Sequence, residues 1–574
     1  MSLGPFLHRL LGLNRSLVAL VLYLVFGAVV CFWRLGVVGL VQMEGMVADG
    51  GRTMLESGDW IVPRVYGEIY TYKPALAYWL AALAQSIADP PPEWLLRFPF
   101  ALSAFVMGLL VLLLLGRITS PRIAFFCSVA SISAGLFIQD ARIAQFDAPL
   151  AAGVGVAVAA ACVNLAGNRA RASIWLLGYL GLAVGFLAKG VPALMCFAPG
   201  LLAAALVTRR FRRFVDWRHV VAVLLFALVA GGYLVAAYRS VGAVAYEQPL
   251  LEAKVRGFSW NIRQQADVLS VHDTAGSNQN AGTAARPIGT VLRSGAKPLY
   301  IWAAFLPWSL LLPIAFAARV REDPGPTTTL LVRSAQAFLV AGVVTFMATP
   351  THEMRYYLPL CVPVGILSGL VIAGQTSTIR RRAVLSASVV GATLAAAAMF
   401  VFGLSVGAPP APVSHRVVLT IGGLGLLGWT WLSRGNSAKD RGAVLMLLAV
   451  AGCLATESLV AQPRRAGKRD LRSQAVALAR FLPEQEPVWV LGPADQAGES
   501  ASLFYYLDRP IRTFRTGVNL PPADSYCVLS SDRLAELPEP SGLVFSELTR
   551  VRDPWRTYLL GRCSGGPELI GTGR

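Results

Sequence analysis

Charge is scarce in this chain. Asp, Glu, Lys and Arg supply 14% of its 574 residues, against about a quarter in a soluble domain, and that shortage excludes an ordinary soluble class. Acidic residues are the scarcer sign, 32 against 51 basic ones, which leaves a net charge of +19. In a soluble protein such an excess would point to nucleic acid. Here the arginines cluster in short loops between apolar runs, where they set topology and meet anionic lipid, so nucleic acid is excluded as a partner. No CxxC, HExxH or GxxxxGK[ST] occurs, which removes zinc-finger, metalloprotease and P-loop readings. The first apolar run has basic flanks but no small-residue cleavage site, so it reads as an uncleaved anchor. Internal repeats of the kind that mark many transporters are missing too. Of eight cysteines, six lie in apolar segments as packing residues, whereas Cys527 and Cys563 lie in a polar tail. Spacing alone leaves open whether those two pair.

What is abundant is apolar residues, 55% of the chain. A spanning helix needs about 20 of them. Runs near 16–37, 97–116, 122–139, 147–167, 173–188, 191–207, 218–239, 298–318, 333–348, 357–374, 384–404, 417–432 and 442–461 predict thirteen spans. With the N-terminus inside, every alternate connection is basic: Arg117 and Arg122, Arg169 and Arg171, Arg209 to Arg213, Arg319 and Arg321, Arg380 to Arg382, and Arg434 to Arg441. This is the positive-inside pattern. An odd number of spans puts everything after Gln462 outside.

The same parity places five unusual stretches on the outer face. They are the opening loop at 38–96, QDARIAQFDAP at 139–149, AKGVP at 188–192, the long loop at 240–297 and TPTHEMRYYLP at 349–359. Charged residues at the ends of spanning helices are costly unless they meet water, a partner or a substrate. Their gathering on one side therefore predicts a site against the outer membrane surface. The tail, 462–574, reads as a small α/β domain, with helices over 468–482 and 499–507 and strands at 488–492, 511–514 and 526–530.

The run RTMLESGDWIVPRVYGEIYTYKPALAYWL at 52–80 resembles the integral-membrane glycosyltransferases of the aminoarabinose transferase and protein O-mannosyltransferase group. ARIAQFDAP at 141–149, FLAKGVPAL at 186–194, FLPWSLLLP at 305–313 and MRYYLP at 354–359 extend the resemblance over about residues 20–375. SGDWIVP combined with KPALAYW is the specific part. The resemblance implies an all-α polytopic membrane bundle of the GT-C type over 1–461, with about 13 transmembrane helices and a small C-terminal α/β extracytoplasmic domain. It implies transfer of a sugar from a polyprenyl-phosphate donor to a lipid or other cell-envelope acceptor, protein or glycan included, by a monomer on the outer face of the cytoplasmic membrane. A divalent metal requirement is left open. The alternative is a non-catalytic polyprenyl-lipid binder or transporter. This chain departs from the family's acidic pair at Met43, carries Met46 where a basic residue is expected, and has Tyr72 at the Glu of the family's FEKP stretch.

Transfer of this kind needs a carboxylate for the acceptor proton and cationic or phenolic groups for the leaving phosphate. The resemblance assigns the first role to Glu44 and Asp147, and the second to Lys73, Tyr70, Lys189, Arg355, Tyr356 and Arg142. Each has a plainer reading. Glu44 could pair with Arg52 or Arg64 at the interface, and Asp147 could cap a helix. The basic residues could snorkel, and Tyr70 could belong to an interfacial aromatic belt. Asp59, Trp60, Trp79, Pro307 and Trp308 read as architecture. His352 with Glu353 is too small a set for a metal site.

Overall fold

The computed structural model describes residues 14–41, 43–88, 90–249, 299, 301–317, 325–348, 354–373, 378–404, 441–457, 459, 471–483, 486–491, 501–514, 521–530, 543–552 and 557–565. The expected span at 417–432, the domain boundary at 461/462, His352, Glu353 and the rest of the long loop, 250–297, lie outside them.

Helix α1 (Arg15–Phe32) begins where the Asn14 side chain accepts the Ser16 amide at 3.1 Å. It leads into the opening loop, which is itself folded. There α2 (Glu44–Ser57) ends at Gly58, whose φ of 71° supplies the left-handed C-cap that glycine adopts without strain. Asp59 follows, and its Oδ1 accepts the amides of Ile61 and Val62, both at 3.1 Å, so it is a turn residue as expected. A two-residue hairpin, β1 (Arg64–Val65) and β2 (Glu68–Ile69), turns at Tyr66 and Gly67, both with positive φ. Helix α3 (Leu76–Gln85) closes the loop, and the Trp79 indole donates to the Trp60 carbonyl at 2.7 Å.

The bundle continues through α4 (Glu93–Leu115), α5 (Pro121–Ile132), α6 (Gly135–Asp140), α7 (Asp147–Ala166), α8 (Ala172–Lys189), α9 (Pro192–Thr208) and α10 (Trp217–Val241). After the loop come α11 (Leu312–Ala317), α12 (Pro326–Met347), a 3-10 segment (Met354–Leu360), α13 (Cys361–Ala373), α14 (Thr378–Leu404) and α15 (Arg441–Thr456). Among the described residues seven helices are long and apolar enough to cross a membrane, and the chain is a multi-pass membrane protein. The predicted count of thirteen is not confirmed among the described residues: the run at 122–139 breaks at Ser133–Ala134 into α5 and α6, and the described parts of the helices at 192–208, 308–317 and 442–456 are shorter than full spans, whereas α14 runs over 27 residues.

Helix α7 is the axis, and every one of its residues is buried. Its Gly, Ala and Val surface lets neighbours approach closely: a Cβ on Gly153 would stand 2.3 Å from the Gly181 carbonyl oxygen of α8. In lipid such small-residue contact replaces the hydrophobic drive between helices. At its C-terminal end the Arg213 guanidinium caps the carbonyls of Asn164 and Gly167 at 2.7 and 2.9 Å, so this basic loop lies about 30 Å from Asp147 along the helix.

The tail folds as expected for its first half. Helix α16 (Arg472–Ala479), β3 (Val488–Leu491), α17 (Ala501–Leu507), β4 (Ile511–Phe514) and β5 (Ser525–Ser530) match the patterned segments. Two further strands, β6 (Leu543–Arg552) and β7 (Thr557–Gly565), complete a five-stranded sheet of order β4-β3-β5-β7-β6. β3 pairs in parallel with β4 and β5, whereas β7 is antiparallel to β5 and β6. Cys527 and Cys563 form a disulfide across β5 and β7, their Cα atoms 5.9 Å apart.

Candidate functional site

Described residues of the five stretches that charge parity assigns to the outer face meet at one end of the bundle, through the following contacts. Asp147 opens α7, with its carboxylate paired to the Lys189 ammonium at the C-terminus of α8. It makes no capping bond to its own helix, so the plain capping role is not the one it performs. Its second oxygen lies 4.0 Å from Arg355 Nε, and Arg355 also donates to the Gln145 side chain at 3.2 Å. The Lys189 ammonium sits 4.1 Å from the centroid of the Tyr356 ring, and the Arg355 guanidinium 5.9 Å from it. Such distances are within cation–π range. Lys189 and Asp147 are both buried. Two cations and a phenol thus surround one carboxylate at a helix N-terminus, a setting that favours anions.

Pro74, the residue after Lys73, reaches the turn beside this cluster. The ring of Pro74 lies 3.8 Å from where a Cβ on Gly190 would stand, so the KP turn abuts the turn that follows Lys189. Tyr70 is buried, its ring 5.1 Å from that of Tyr72. Between them the Thr71 amide donates to Gln248 Oε1 at 2.6 Å, and Gln248 Nε2 donates to the Ile69 carbonyl at 3.1 Å. The long loop therefore starts against the same hairpin.

Glu44 and Arg142 turn elsewhere. Glu44 is fully buried and paired to Arg97 of α4, which donates from Nε at 2.8 Å and Nη2 at 2.7 Å. Each Glu44 oxygen also takes a backbone amide, Ala144 on Oε1 and Val41 on Oε2, both at 2.8 Å. These four bonds match the four acceptor positions of a carboxylate. A general base needs a lone pair directed at its substrate, and Glu44 has committed its own to the fold. Neither Arg52 nor Arg64 is its partner, so the plainer pairing is not observed either. Arg97 in turn spreads its remaining bonds over the carbonyls of Leu35, Val38 and Gly39 at 2.7–2.9 Å. Arg142 donates to the Trp33 carbonyl at the end of α1. Burial, followed by the charges of Arg97 and Arg34, pulls its guanidinium down to about 10.

Two residues of this arrangement were not singled out from the sequence. Gln145 carries no motif of its own. Arg97 had a signal, an arginine within an apolar run, which in a membrane segment marks a paired or functional group. Among the described residues no three His, Cys, Asp or Glu side chains gather as a metal site would require.

Comparison with known proteins agrees with the fold. The profile of the dolichyl-phosphate-mannose-protein mannosyltransferase family matches residues 72–232. An undecaprenyl phosphate-alpha-4-amino-4-deoxy-L-arabinose arabinosyl transferase of Pseudomonas fluorescens (strain Pf0-1) is 29% identical over 324 residues, 56% of this chain and 51% of that one. The transferase of Pseudomonas paraeruginosa is 27% identical over 332 residues, 57% of this chain and 54% of that one. The chain thus spans about half the length of the curated relatives it matches. The crystal structure of ArnT from Cupriavidus metallidurans bound to undecaprenyl phosphate superposes with a TM-score of 0.66, covering 94% of this chain and 97% of that one at 19% identity.

Proposed function

We propose that this chain, which has the GT-C fold of the aminoarabinose transferases and resembles them in sequence, transfers a sugar from a polyprenyl-phosphate carrier to an envelope lipid. The donor to try first, by the names of the relatives, is undecaprenyl-phosphate aminoarabinose, and the acceptor is of the lipid A kind. The orientation proposed puts the site and the tail domain outside, with the basic loops in the cytoplasm. The Cys527–Cys563 disulfide supports an oxidising compartment for the tail.

The observation that carries the reading is the convergence of Asp147, Lys189, Arg355 and Tyr356 from three separate elements. An acceptor hydroxyl attacks the anomeric carbon, the bond from that carbon to the phosphate oxygen breaks, and the proton passes to a carboxylate. We assign that carboxylate to Asp147. Lys189, Arg355 and Lys73 hold the departing phosphate, with Tyr356 and Tyr70 as phenolic walls or donors. Lys189 pairs with Asp147, so a donor phosphate competes for the same ammonium. When Lys189 moves to the phosphate, an Asp147 oxygen opens to the acceptor hydroxyl. Glu44 and Arg142 are assigned to holding the surrounding backbone and not to the chemistry.

The test is sugar transfer by the full chain reconstituted in lipid with a panel of polyprenyl-phosphate sugars. Asp147→Asn is expected to lower kcat by about 100-fold or more, the range for removing a positioned proton acceptor, while donor binding persists. Turnover by Asp147→Asn equal to wild type removes Asp147 from the role. Saturable donor binding without turnover for any sugar supports instead the non-catalytic binder, the reading that Met43 and the committed Glu44 favour.

A further inference from the structure

The tail domain is docked on the segment that organises the site. α17 lies against the N-terminus of α2 so closely that a Cβ on Gly45 would stand 2.0 Å from the Ala501 carbonyl oxygen. Tyr66 of the hairpin meets Phe504 edge-on at 5.5 Å, and Thr513 donates to Glu68 at 2.6 Å. The Tyr505 hydroxyl donates to the Pro91 carbonyl at 3.1 Å, just ahead of α4. These contacts are enough to attach a domain.

Tyr506 does something different. Its hydroxyl accepts the Leu40 amide at 2.7 Å and donates to Glu93 Oε1 at 2.9 Å. Arg472 of α16 holds the same Glu93 oxygen at 3.1 Å. Burial pushes the Tyr506 phenol up, so it stays protonated and able to accept and donate at once. Leu40 belongs to the stretch whose Leu35, Val38 and Gly39 carbonyls are gripped by Arg97. Four residues on, Glu44 accepts the Ala144 amide, and Asp147 follows three residues after that. One continuous run of hydrogen bonds and covalent chain thus joins a phenol in the tail to the proposed acceptor-side carboxylate.

We infer that Tyr506 is a positioning residue of the transfer site: its hydroxyl sets the 35–44 segment, and through Arg97, Glu44 and the Ala144 amide it sets where Asp147 stands. The inference rests on the transferase reading above for its effect on turnover, but not for its effect on backbone order. The bland alternative is that the hydroxyl merely adds to domain attachment. The two differ in what they move. Attachment would shift thermal stability and leave the turn before Asp147 alone. Positioning would change kcat and the protection of that turn by more than any loss of stability explains.

The experiment compares full-length wild type, Tyr506→Phe and Glu93→Gln in lipid nanodiscs, by steady-state transfer from undecaprenyl-phosphate aminoarabinose and by amide hydrogen exchange. Tyr506→Phe keeps the ring and loses the bridge, so kcat should fall roughly fivefold to tenfold, the scale of one lost buried hydrogen bond. Donor KM should stay unchanged, Tm should fall by no more than the loss of one buried hydrogen bond, and exchange should quicken at Leu40 and across 141–147. Glu93→Gln keeps an oxygen for the phenol and should retain wild-type kcat. Wild-type kcat in Tyr506→Phe, or unchanged exchange across 141–147, overturns the inference. So does a loss of Tm that accounts for the whole effect. If wild type turns over none of the donors supplied, the transferase reading is what has failed, and exchange across 141–147 alone decides for or against the positioning role.

Discussion

Glu44 and Arg97 show how a carboxylate can be committed wholly to holding backbone in place. Both are fully buried, and each is expensive to place in a membrane protein unless its partner and every hydrogen bond are present. Here Arg97 makes five bonds and Glu44 accepts four. Arg97→Ala should therefore cost about 3–5 kcal/mol, the range for leaving a buried partner charged and alone, read as a lowered unfolding midpoint in detergent. Replacing both by leucine should recover little of this, because the carbonyls of Leu35, Val38 and Gly39 and the amides of Val41 and Ala144 would lose their partners. Recovery to wild-type stability would show that the ion pair alone, and not the backbone it holds, is what matters. The sequence made Glu44 visible by its place in a motif, but not its partner 53 residues away. Asp147, Lys189, Arg355 and Tyr356 were legible because each stands at the end of an apolar run, where a polar group needs a reason.

At the scale of elements, the opening loop is held as a small folded unit, and one carboxylate fastens its parts. Asp49 of α2 accepts the Tyr66 amide at 2.7 Å, which ties the hairpin to the helix. Burial pushes the Asp49 carboxyl from 3.8 up to about 6, against the lowering pull of that amide and of Arg52 and Arg512. A carboxyl raised in the folded state binds its proton more tightly there, so stability falls as pH climbs between the two values. Wild type should accordingly lose thermal stability relative to Asp49→Asn from about pH 4 to about pH 6, with a level difference above; a flat difference throughout would mean Asp49 titrates normally. Periodicity marked the elements themselves well: IRTF at 511–514 is a strand as expected, and α8 and α9 fill their predicted runs. It failed where a run mixed two structures. The stretch 122–139 is apolar throughout, yet it bends between α5 and α6, where Gly135 donates its amide to Leu306 at 2.8 Å. The partner there lies in another apolar run, and composition carries no record of it. β6 escaped because its charged residues and the register shift between Glu547 and Thr549 break the alternation that would announce a strand, and β7 because Gly561 and Arg562 interrupt it.

Across the whole molecule, the bundle and the tail divide the work. The bundle supplies apolar surface and two polar poles, one basic and one bearing the proposed site, a division that charge counting along the chain predicts. The tail's docking was not legible, since its contacts to 40–93 join regions with no shared pattern. Its sheet is cross-linked by Cys527 and Cys563, 36 residues apart. Replacing both by serine should destabilise the tail by about 2–4 kcal/mol, seen as faster proteolysis of residues 471–565. Through Tyr506 it should also lower transfer more than any change in donor binding explains. Transfer that survives a loosened tail would separate the two.

The Leu40–Tyr506 contact has a consequence for biosynthesis. Its halves are 466 residues apart, so it closes a very large loop and forms only after nearly all the intervening helices have been made and inserted. A nascent chain gains its spanning helices long before it gains the bond that fixes Leu40. A chain cut short before Tyr506 would therefore be inserted with the 35–44 segment still unfastened from the tail.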